Sequence, residues 1–374
     1  MKIVSIAASF VPANTANSIQ VVKATHALAV LGHQVTLFVP GQADAGWDTL
    51  ERHYGLQKDF EIRWVRENLA FRRYDFAFKA VRAAKQLSPD LVYTWVLQAG
   101  VLALWGGLPV VLELHDRVRG KFGPWLFKRF CASAVRHRLL TNTRSLSQAL
   151  EKDYRLDADA MDVHVAPNGV ELARYRDLPT PKEARQALGL SQGFTAGYTG
   201  HFYAGRGMSL MMDLAKALPD VNFLWVGGDS SDVTLWKKRL EAQEVRNITL
   251  TGFIDNAALP QYQAAADVLL MPYGTSIAGS GGGDSAEIAS PMKMFEYLAA
   301  GRPILSSDLP VIHEVLSDQN TIFCPPGDLD AWKSALSELK EYPGKCAKLA
   351  AAARMTAEKY TWRSRAEAAL KNFL

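Results

Sequence analysis

Short apolar runs alternate along the chain with longer segments in which apolar residues recur at helical spacing. Such runs are typical of strands that are buried in a parallel sheet. In the first half they lie at Ile3–Ala8, Gln34–Val39, Leu91–Trp95, Val110–Leu114, Leu139–Asn142 and Val163–Ala166. In the second half they lie at Phe194–Thr199, Asn222–Val226, Ile248–Leu250, Val268–Met271, Pro303–Leu305 and Thr321–Phe323. Because helical segments separate successive strands, the pattern predicts an α/β fold with doubly wound parallel sheets.

A break in this alternation indicates two domains. Residues 167–181 are rich in Pro, Gly, Arg and Asp, and the alternation of strands and helices starts again after them. A chain of 374 residues also exceeds the size of one typical hydrophobic core. We therefore predict two Rossmann-like domains, over residues 1–170 and from residue 171 onward, that face a ligand-binding cleft at the carboxyl ends of their strands.

Composition limits the classes of protein to which the chain can belong. Hydrophobic residues make up 48% of it, charged residues 21%, and the net charge is +4, so bulk charge does not favour nucleic acid as a partner. The three cysteines lack metal-ligand spacing, which argues against a zinc site and a disulfide framework. No signal-peptide pattern and no apolar run of membrane-spanning length is present. We expect a cytoplasmic protein.

The stretch SPMKMFEYLAAG predicts a helix that starts at a ligand. Ser290 suits the N-cap, Pro291 the first helical position, and Gly301 the end of the helix. Free amides at such a helix start bind phosphate, and the Gly-rich residues 274–284 would form a flap beside it. Glu296 is an acid in an apolar segment and would suit a pair of ligand hydroxyls. An ordinary capped helix with Glu296 facing solvent remains an alternative.

The first predicted strand is followed by a polar loop where nucleotide-binding folds place phosphates. This loop lacks the GxGxxG motif, but Asn14, Thr15, Asn17 and Ser18 could hydrogen-bond a ligand. The alternative is a simple turn in which Asn17 or Ser18 caps the following helix.

Another first-domain strand ends in the sequence LELHDR. Its Glu113, His115 and Asp116 lie where a strand meets the predicted cleft, and a histidine there can transfer protons or contact a ligand. Adjacent residues of a strand point to opposite faces, so a bond between His115 and Asp116 does not follow from their spacing.

The strand Phe194–Thr199 is followed by the sequence GHFYAGRG, which favours a phosphate-binding loop. Gly200, Gly205 and Gly207 allow the backbone to approach a ligand closely. Arg206 lies at the start of the next helix, where a guanidinium can bind a diphosphate. A solvent-facing arginine is the alternative.

Six segments in this order resemble the GT-B glycosyltransferase family commonly called family 4, the glycosyl transferases group 1. They are GHQVTLFVPG, APNGVELARY, YTGHFYAGRGMSLMMDLAKAL, LTGFIDNAALPQYQAAADVLLMPY, SPMKMFEYLAAGRPILSSDLPVIHEVL and YTWRSRAEAAL. The resemblance implies a retaining enzyme of GT-B fold that uses nucleotide sugars, with no cofactor and no required metal. It also implies that a C-terminal helix at about 360–374 packs back onto the first domain, which leaves residues 171–359 as the donor domain.

The same resemblance assigns roles to individual residues. Arg206 would bind the diphosphate, Glu296 the ribose hydroxyls, and the amides of a helix start the phosphates. His115 would contact the transferred sugar, and together with Arg206 and His201 it forms the predicted catalytic set. The predicted donor site consists of Gly200, Arg206, Phe253, Ile254, Met292, Lys293, Glu296, Glu287 and Asp284.

Two positions depart from the family pattern. His201 stands where the family usually has arginine, and Ile288 where it often has glutamate. Glu287 or Asp284 would then contact the sugar in place of the missing acid. These departures keep two alternatives open: a GT-B nucleotide-sugar 2-epimerase, and a non-catalytic protein that binds nucleotide sugars.

The resemblance and two basic segments indicate the partners. Similar enzymes use acceptors in the synthesis of cell-envelope polysaccharide, lipopolysaccharide or glycolipid, so we expect a glycan or lipid-linked acceptor. Residues 62–86 and 117–138 combine basic and aromatic side chains, which predicts peripheral association with the anionic inner face of the cytoplasmic membrane. A solvated helix face with core aromatics is the alternative, and nucleic acid is not expected.

Overall fold

The computed structural model describes residues 1–42, 45–68, 71, 73–156, 161–277 and 286–373. The chain divides into two compact units. The first consists of Met1–Asn168 and Trp362–Leu374, and the second of Gly169–Thr361. The sequence predicted a first domain over residues 1–170 and a second domain over residues 171–359.

The first unit contains a seven-stranded parallel sheet in the order β3-β2-β1-β4-β5-β6-β7. Its strands are β1 (Lys2–Ile6), β2 (Gln34–Pro40), β3 (Glu61–Val65), β4 (Leu91–Thr94), β5 (Val110–Leu114), β6 (His137–Thr141) and β7 (Val163–Val165). Its first six helices are α1 (Ala16–Val30), α2 (Trp47–Tyr54), α3 (Tyr74–Gln86), α4 (Leu97–Trp105), α5 (Gly123–Cys131) and α6 (Arg144–Tyr154). The order runs outward in both directions from β1, as in a doubly wound fold.

The second unit repeats this design with six parallel strands in the order β10-β9-β8-β11-β12-β13. They are β8 (Thr195–Thr199), β9 (Asn222–Val226), β10 (Ile248–Gly252), β11 (Val268–Met271), β12 (Ile304–Ser307) and β13 (Thr321–Cys324). Its helices are α7 (Pro181–Ala187), α8 (Met208–Ala217), α9 (Ser230–Ala242), α10 (Leu259–Ala264), α11 (Met292–Ala300), α12 (Leu329–Glu341) and α13 (Pro343–Ala357). The predicted α/β class with two doubly wound sheets is confirmed.

The last helix, α14 (Trp362–Leu370), belongs to the first unit although it follows the second in sequence. Arg138 of β6 donates hydrogen bonds to the backbone oxygens of Ala369 at 2.8 Å and Lys371 at 3.0 Å. The guanidinium of Arg138 also lies 5.1 Å from the ring centre of Phe373. These contacts anchor the end of the chain to the edge of the first sheet.

Strand β3 was not predicted from the sequence, and it occupies the start of the basic and aromatic segment over residues 62–86. This region begins in strand β3, whose Ile62 and Trp64 pack against the hydrophobic core, and only its second part forms helix α3. The strand was missed because polar and charged residues alternate with apolar ones at the edge of the sheet, where one face meets solvent. Among the described residues, no helix is long and apolar enough to cross a membrane.

Candidate functional site

The start of helix α11 has no side-chain cap among the described residues. The N-cap residue is Pro291, in extended conformation. The prediction of Ser290 as the N-cap is therefore wrong, because the extended backbone of Pro291 places it outside the first helical turn. The helix ends at Gly301 in the left-handed conformation, as predicted. The amides of Met292 and Lys293 thus lie at the positive end of a helix dipole.

The ammonium group of Lys293 is buried and has no hydrogen-bond partner among the residues that the structure describes. Its Nζ lies 3.6 Å from the ring centre of Tyr198 and 5.7 Å from that of Tyr273. Burial and the nearby Arg206 hold the pKa of Lys293 well below its usual value, although Glu296 acts in the opposite direction. A buried cation of this kind is destabilised until an anion approaches it.

Arg206 brings a second cation to the same place. Its guanidinium lies 5.1 Å from the ring centre of Tyr273, so one tyrosine ring faces both Arg206 and Lys293. The loop that carries Arg206 is held against the chain after β11 by a 2.9 Å hydrogen bond from the amide of Gly274 to the oxygen of Gly205. A Cβ atom at Gly205 would lie 2.0 Å from the backbone oxygen of Ser276, so only glycine fits at this position.

Gly200, at the end of β8, lies directly beside the buried ammonium. A Cβ atom at Gly200 would be 2.9 Å from Nζ of Lys293, and the residue has a φ of +133°. The structure therefore brings together the predicted residues Gly200, Arg206 and Lys293 with the start of α11. Two cations, a glycine backbone and the amides at a helix start form a site that suits a diphosphate.

Glu296 lies one helical turn beyond Lys293 and is half-buried. Its Oε2 accepts a 3.1 Å hydrogen bond from Nε2 of Gln263, a fully buried side chain that also lies 3.4 Å from the hydroxyl of Thr199. The alternative of an acid that simply faces solvent does not describe this arrangement. A carboxylate fixed in this way can accept hydrogen bonds from a vicinal diol.

The remaining donor-site candidates are more exposed. The ring of His201 stacks on Tyr203 at 4.7 Å, and the hydroxyl of Tyr198 donates a 2.7 Å hydrogen bond to the backbone oxygen of His201. Phe253, which follows β10, is 37% exposed, and its neighbour Ile254 is half-buried. The end of β9 links the two loops, since the amide of Gly200 donates to the oxygen of Val226 and the amide of Gly227 donates to the oxygen of Gly252.

The region where the chain departs from the family pattern is only partly described. Ile288 is buried at 3% exposure, and Glu287 beside it is exposed. Asp284 and most of the predicted flap, residues 278–284, lie outside the described residues. The choice between Glu287 and Asp284 as the sugar contact therefore stays a prediction.

In the first unit, His115 bonds to Glu113. Its Nε2 lies 2.5 Å from Oε1 of Glu113, whereas the carboxylate of Asp116 accepts bonds from the amide of Arg117 and from the side chain of Arg119. The geometry follows from strand periodicity, because residues two apart share a face. His115 thus has a carboxylate partner within β5, two positions earlier.

The polar loop before α1 is largely used for structure. Thr15 is the N-cap, and its hydroxyl accepts a 3.3 Å bond from the amide of Ser18, so the alternative of an Asn17 or Ser18 cap is wrong. Ser18 is buried, and its hydroxyl bonds the backbone oxygen of Phe10 and the hydroxyl of Tyr54. Asn14 and Asn17 are exposed. Of the four predicted residues, Thr15 and Ser18 therefore hold the turn.

Several residues of these sites were not predicted from the sequence: Tyr198, Tyr273 and Gln263 in the second unit, and Gln20, Tyr93 and Arg365 in the first. One signal was available for Arg365, since Glu113 in a predicted buried strand requires a cation. The described residues contain no group of three or more His, Cys, Asp or Glu side chains that could hold a metal ion. The independence from metals stays a prediction.

Two family models match successive parts of the chain. The model described as Glycosyltransferase Family 4 matches residues 18–174, and the model described as Glycosyl transferases group 1 matches residues 193–341. Together they cover most of the chain, and their junction falls near the boundary between the two units.

Curated relatives are bacterial glycosyltransferases. The chain is 32% identical over 164 residues to the putative teichuronic acid biosynthesis glycosyltransferase TuaH of Bacillus subtilis. The aligned region covers 43% of this chain and 38% of that protein. It is 27% identical over 224 residues to a phosphatidyl-myo-inositol mannosyltransferase of Mycolicibacterium smegmatis, 57% of this chain and 52% of that protein. The chain thus spans about half or less of the length of these relatives.

Experimental structures match almost the whole chain. Anabaena Alr3699/HepE in complex with UDP-glucose matches with a TM-score of 0.75 at 17% identity, over 99% of this chain and 98% of that one. Sucrose-phosphate synthase from Thermosynechococcus elongatus matches with a TM-score of 0.74 at 17% identity, over 98% and 96%. At these identities the likeness establishes the GT-B fold.

Proposed function

The chain belongs to the family 4, group 1 glycosyl transferases, and from that premise we propose that it moves a sugar from a nucleoside diphosphate to an acceptor hydroxyl with retention of anomeric configuration. The observation that carries the proposal is the buried ammonium of Lys293, which has no hydrogen-bond partner in the described part of the chain and lies beside Arg206 and the start of α11. A diphosphate would bring negative charge to these two cations.

The site would act mainly on the leaving group. As the bond between the anomeric carbon and the diphosphate oxygen breaks, negative charge grows on the diphosphate. Lys293, Arg206 and the amides of Met292 and Lys293 would stabilise that charge, and loss of one such donor typically costs about 10²–10³-fold in rate. Because these donors are fixed before the reaction, little reorganisation is needed.

Retention would result from attack on the same face of the sugar. The acceptor oxygen forms the new bond to the anomeric carbon while the diphosphate leaves, and the proton of the acceptor hydroxyl passes to the departing phosphate oxygen. This route needs no protein nucleophile, and His115 in the first unit would contact the sugar. The two fixed cations support our proposal that a metal ion is not required.

The donor and acceptor classes follow from the site and from the relatives. Glu296, held by Gln263, would bind the ribose hydroxyls, and the backbone at Phe253 and Ile254 would border the base. Related structures contain UDP or UDP-glucose, which supports a nucleoside diphosphate hexose. Relatives named for teichuronic acid and phosphatidyl-myo-inositol support an envelope glycan or glycolipid as the acceptor.

We also propose that one face of the first unit docks on an anionic bilayer. Helices α3, α4 and α5 are neighbours, and they expose Phe78, Trp105 and Trp125, the last two at 61% and 48%. The rings of Trp105 and Trp125 lie edge to face at 6.2 Å.

Cations border these rings. The guanidinium of Arg129 lies 5.5 Å from the ring centre of Trp125, and the ammonium of Lys121 lies 5.8 Å from that of Phe122. The side chain of Lys85 passes over Gly106, directly after Trp105. Exposed aromatic rings among cations suit the interface of an anionic membrane, where a lipid-linked acceptor would be found.

A non-catalytic nucleotide-sugar-binding protein is a second candidate, because Ile288 is buried at the position where the family often has an acid. One experiment separates the candidates. The protein is incubated with a panel of nucleoside diphosphate sugars and with lipid or glycan acceptors, and products are followed by mass spectrometry and NMR. We expect a product of retained configuration with one donor. Donor binding without turnover would favour the binding protein, and C2 inversion of the donor without acceptor would favour an epimerase.

A further inference from the structure

The first unit contains a buried ionic network centred on Glu113. Oε1 of this carboxylate accepts hydrogen bonds from Nε2 of Gln20 at 2.7 Å, from Nε2 of His115 at 2.5 Å and from Nη2 of Arg365 at 2.5 Å. The hydroxyl of Tyr93 donates to Oε2. The network joins α1, β4, the end of β5 and the C-terminal helix α14.

Arg365 is fixed on all sides. Its Nε donates to the backbone oxygens of Ala166 at 3.3 Å and Pro167 at 3.0 Å, and its Nη1 lies 3.3 Å from the hydroxyl of Tyr93. Arg365 and Glu113 are both buried. Burial alone would raise the pKa of Glu113, but the charge of Arg365 and the bond from His115 hold it well below its usual range. The carboxylate is therefore a permanent acceptor.

We propose that Arg365 is a positioning residue for His115, on which it acts through Glu113. The inference rests on the proposed function, because it takes His115 to be the group that contacts the transferred sugar. It also means that the C-terminal helix α14 packs against the first unit and, through Arg365, orients a residue that contacts the sugar.

The physical basis is the choice of tautomer. A carboxylate that is always ionised can only accept, so a neutral His115 must carry its proton on Nε2. Nδ1 is then left as an acceptor for a sugar hydroxyl, and the side chain is 22% exposed. The bond also fixes the plane of the ring. Without Arg365, the buried carboxylate would take up a proton or move, and both constraints on His115 would weaken.

The first test reads the tautomer directly and needs no substrate. The protein is labelled with ¹⁵N-histidine, the His115 signals are identified by their loss in H115Q, and the ring nitrogens are recorded for the neutral imidazole. We expect the Nε2-protonated form in the wild type and a severalfold larger share of the Nδ1-protonated form in E113Q and R365Q. R365K should restore part of the wild-type ratio, because it keeps the positive charge. R363Q is the matched control, since Arg363 is exposed on the same helix and forms an ion pair with Glu367 at the surface.

The second test uses turnover. E113Q and R365Q should lower kcat about 10- to 100-fold with little change in KM for the donor, because the donor site lies in the other unit. In an H115A background the same substitutions should change kcat less than about twofold. An unchanged tautomer of His115 in E113Q and in R365Q would overturn the inference. It would also be overturned if these substitutions lowered kcat in the H115A background by the same factor as in the wild type. If no donor supports turnover, the proposed function fails, and the NMR result still decides whether Arg365 positions His115.

Discussion

The ammonium nitrogen of Lys293 lies 3.6 Å from the ring centre of Tyr198, and within the described chain it donates no hydrogen bond. A tyrosine face attracts a cation but does not replace the hydrogen bonds of water, and the contact is worth about 0.5–2 kcal/mol. Burial and the nearby Arg206 therefore disfavour the charged form of Lys293. This unfavourable environment for a cation indicates that the site binds an anion.

Lys293→Met should stabilise the ligand-free protein. The folded state lowers the pKa of Lys293, so folding disfavours its ammonium form, and the isosteric apolar side chain removes this cost. We expect a melting temperature higher by about 2–4 °C for each kcal/mol regained, measured by calorimetry. Lys237→Met on the exposed face of α9 is the control and should change little. A lower melting temperature than the wild type would show that the ammonium has a stabilising partner.

Nucleotide binding should take up a proton at Lys293. The folded pKa lies below the unfolded value of 10.5, and a diphosphate beside the ammonium raises it again. Between the pKa of Lys293 in the free protein and its higher pKa in the complex, the free side chain is deprotonated and the bound one is protonated. The affinity for the nucleotide therefore falls as the pH rises through this window. The binding enthalpy at about pH 9 should then depend on the ionisation enthalpy of the buffer, since the phosphate itself, with a pKa of about 6, is fully ionised there. K293M should show no such dependence, and a buffer-independent enthalpy in the wild type would contradict the assignment.

Glu296→Gln should weaken nucleoside diphosphate binding about 10- to 100-fold, the typical value of a hydrogen bond to a charged group. The comparison that identifies the ribose uses the 2′,3′-dideoxy nucleotide, to which wild type and E296Q should bind equally. Glu241→Gln, which removes an exposed carboxylate from α9 of the same unit, is the control and should bind both nucleotides like the wild type. An equal loss of affinity for both nucleotides would remove Glu296 from the ribose.

Arg365→Met should destabilise the first unit by about 3–5 kcal/mol, because it leaves Glu113 buried without its cation. Arg363→Met should change stability by less than about 0.5 kcal/mol. Since the folded pKa of Glu113 is lowered, its contribution is present above the unfolded pKa of about 4.5 and is lost as pH falls from there toward the folded pKa. E113Q should therefore flatten the acid side of the stability curve measured by urea unfolding. An acid limb as steep as in the wild type would show that Glu113 does not carry this dependence.

The double substitution W105S/W125S should weaken binding to vesicles that contain anionic lipid by about tenfold for each ring removed. Binding by the wild type should also fall at high salt, because basic side chains border the rings. Leu235→Ser, which removes an exposed apolar side chain from the second unit, is the control. Co-sedimentation that is unchanged in the double variant would exclude this face as the docking surface.

Local patterns in the sequence predicted most of the fold. Apolar runs are reliable for strands that are buried on both faces, such as β1, β5 and β11. They failed at β3, where Glu61 and Arg63 alternate with apolar residues on an edge strand. The caps at Thr15 and Pro291 were missed because neighbouring polar residues are equally good caps in sequence, and only the backbone conformation distinguishes them.

The site was predictable only where its residues share a motif. Arg206, Lys293 and Glu296 lie in recognisable segments, whereas Gln263 reaches Glu296 from 33 positions away in sequence. Arg365 is 252 positions from Glu113. Contacts of this length depend on how the helices pack onto the sheets, and no local pattern contains that information.

The central claim is that the second unit holds a nucleoside diphosphate at Lys293 and Arg206. Isothermal titration calorimetry with UDP, GDP, ADP, CDP and TDP tests it most directly, with K293M and R206M beside the wild type and Lys237→Met as the control. We expect the wild type and the control to bind at least one of the five with micromolar affinity, and each site variant to bind that nucleotide at least about tenfold more weakly. Binding of none of the five by the wild type, or equal binding by K293M and R206M, would contradict the account.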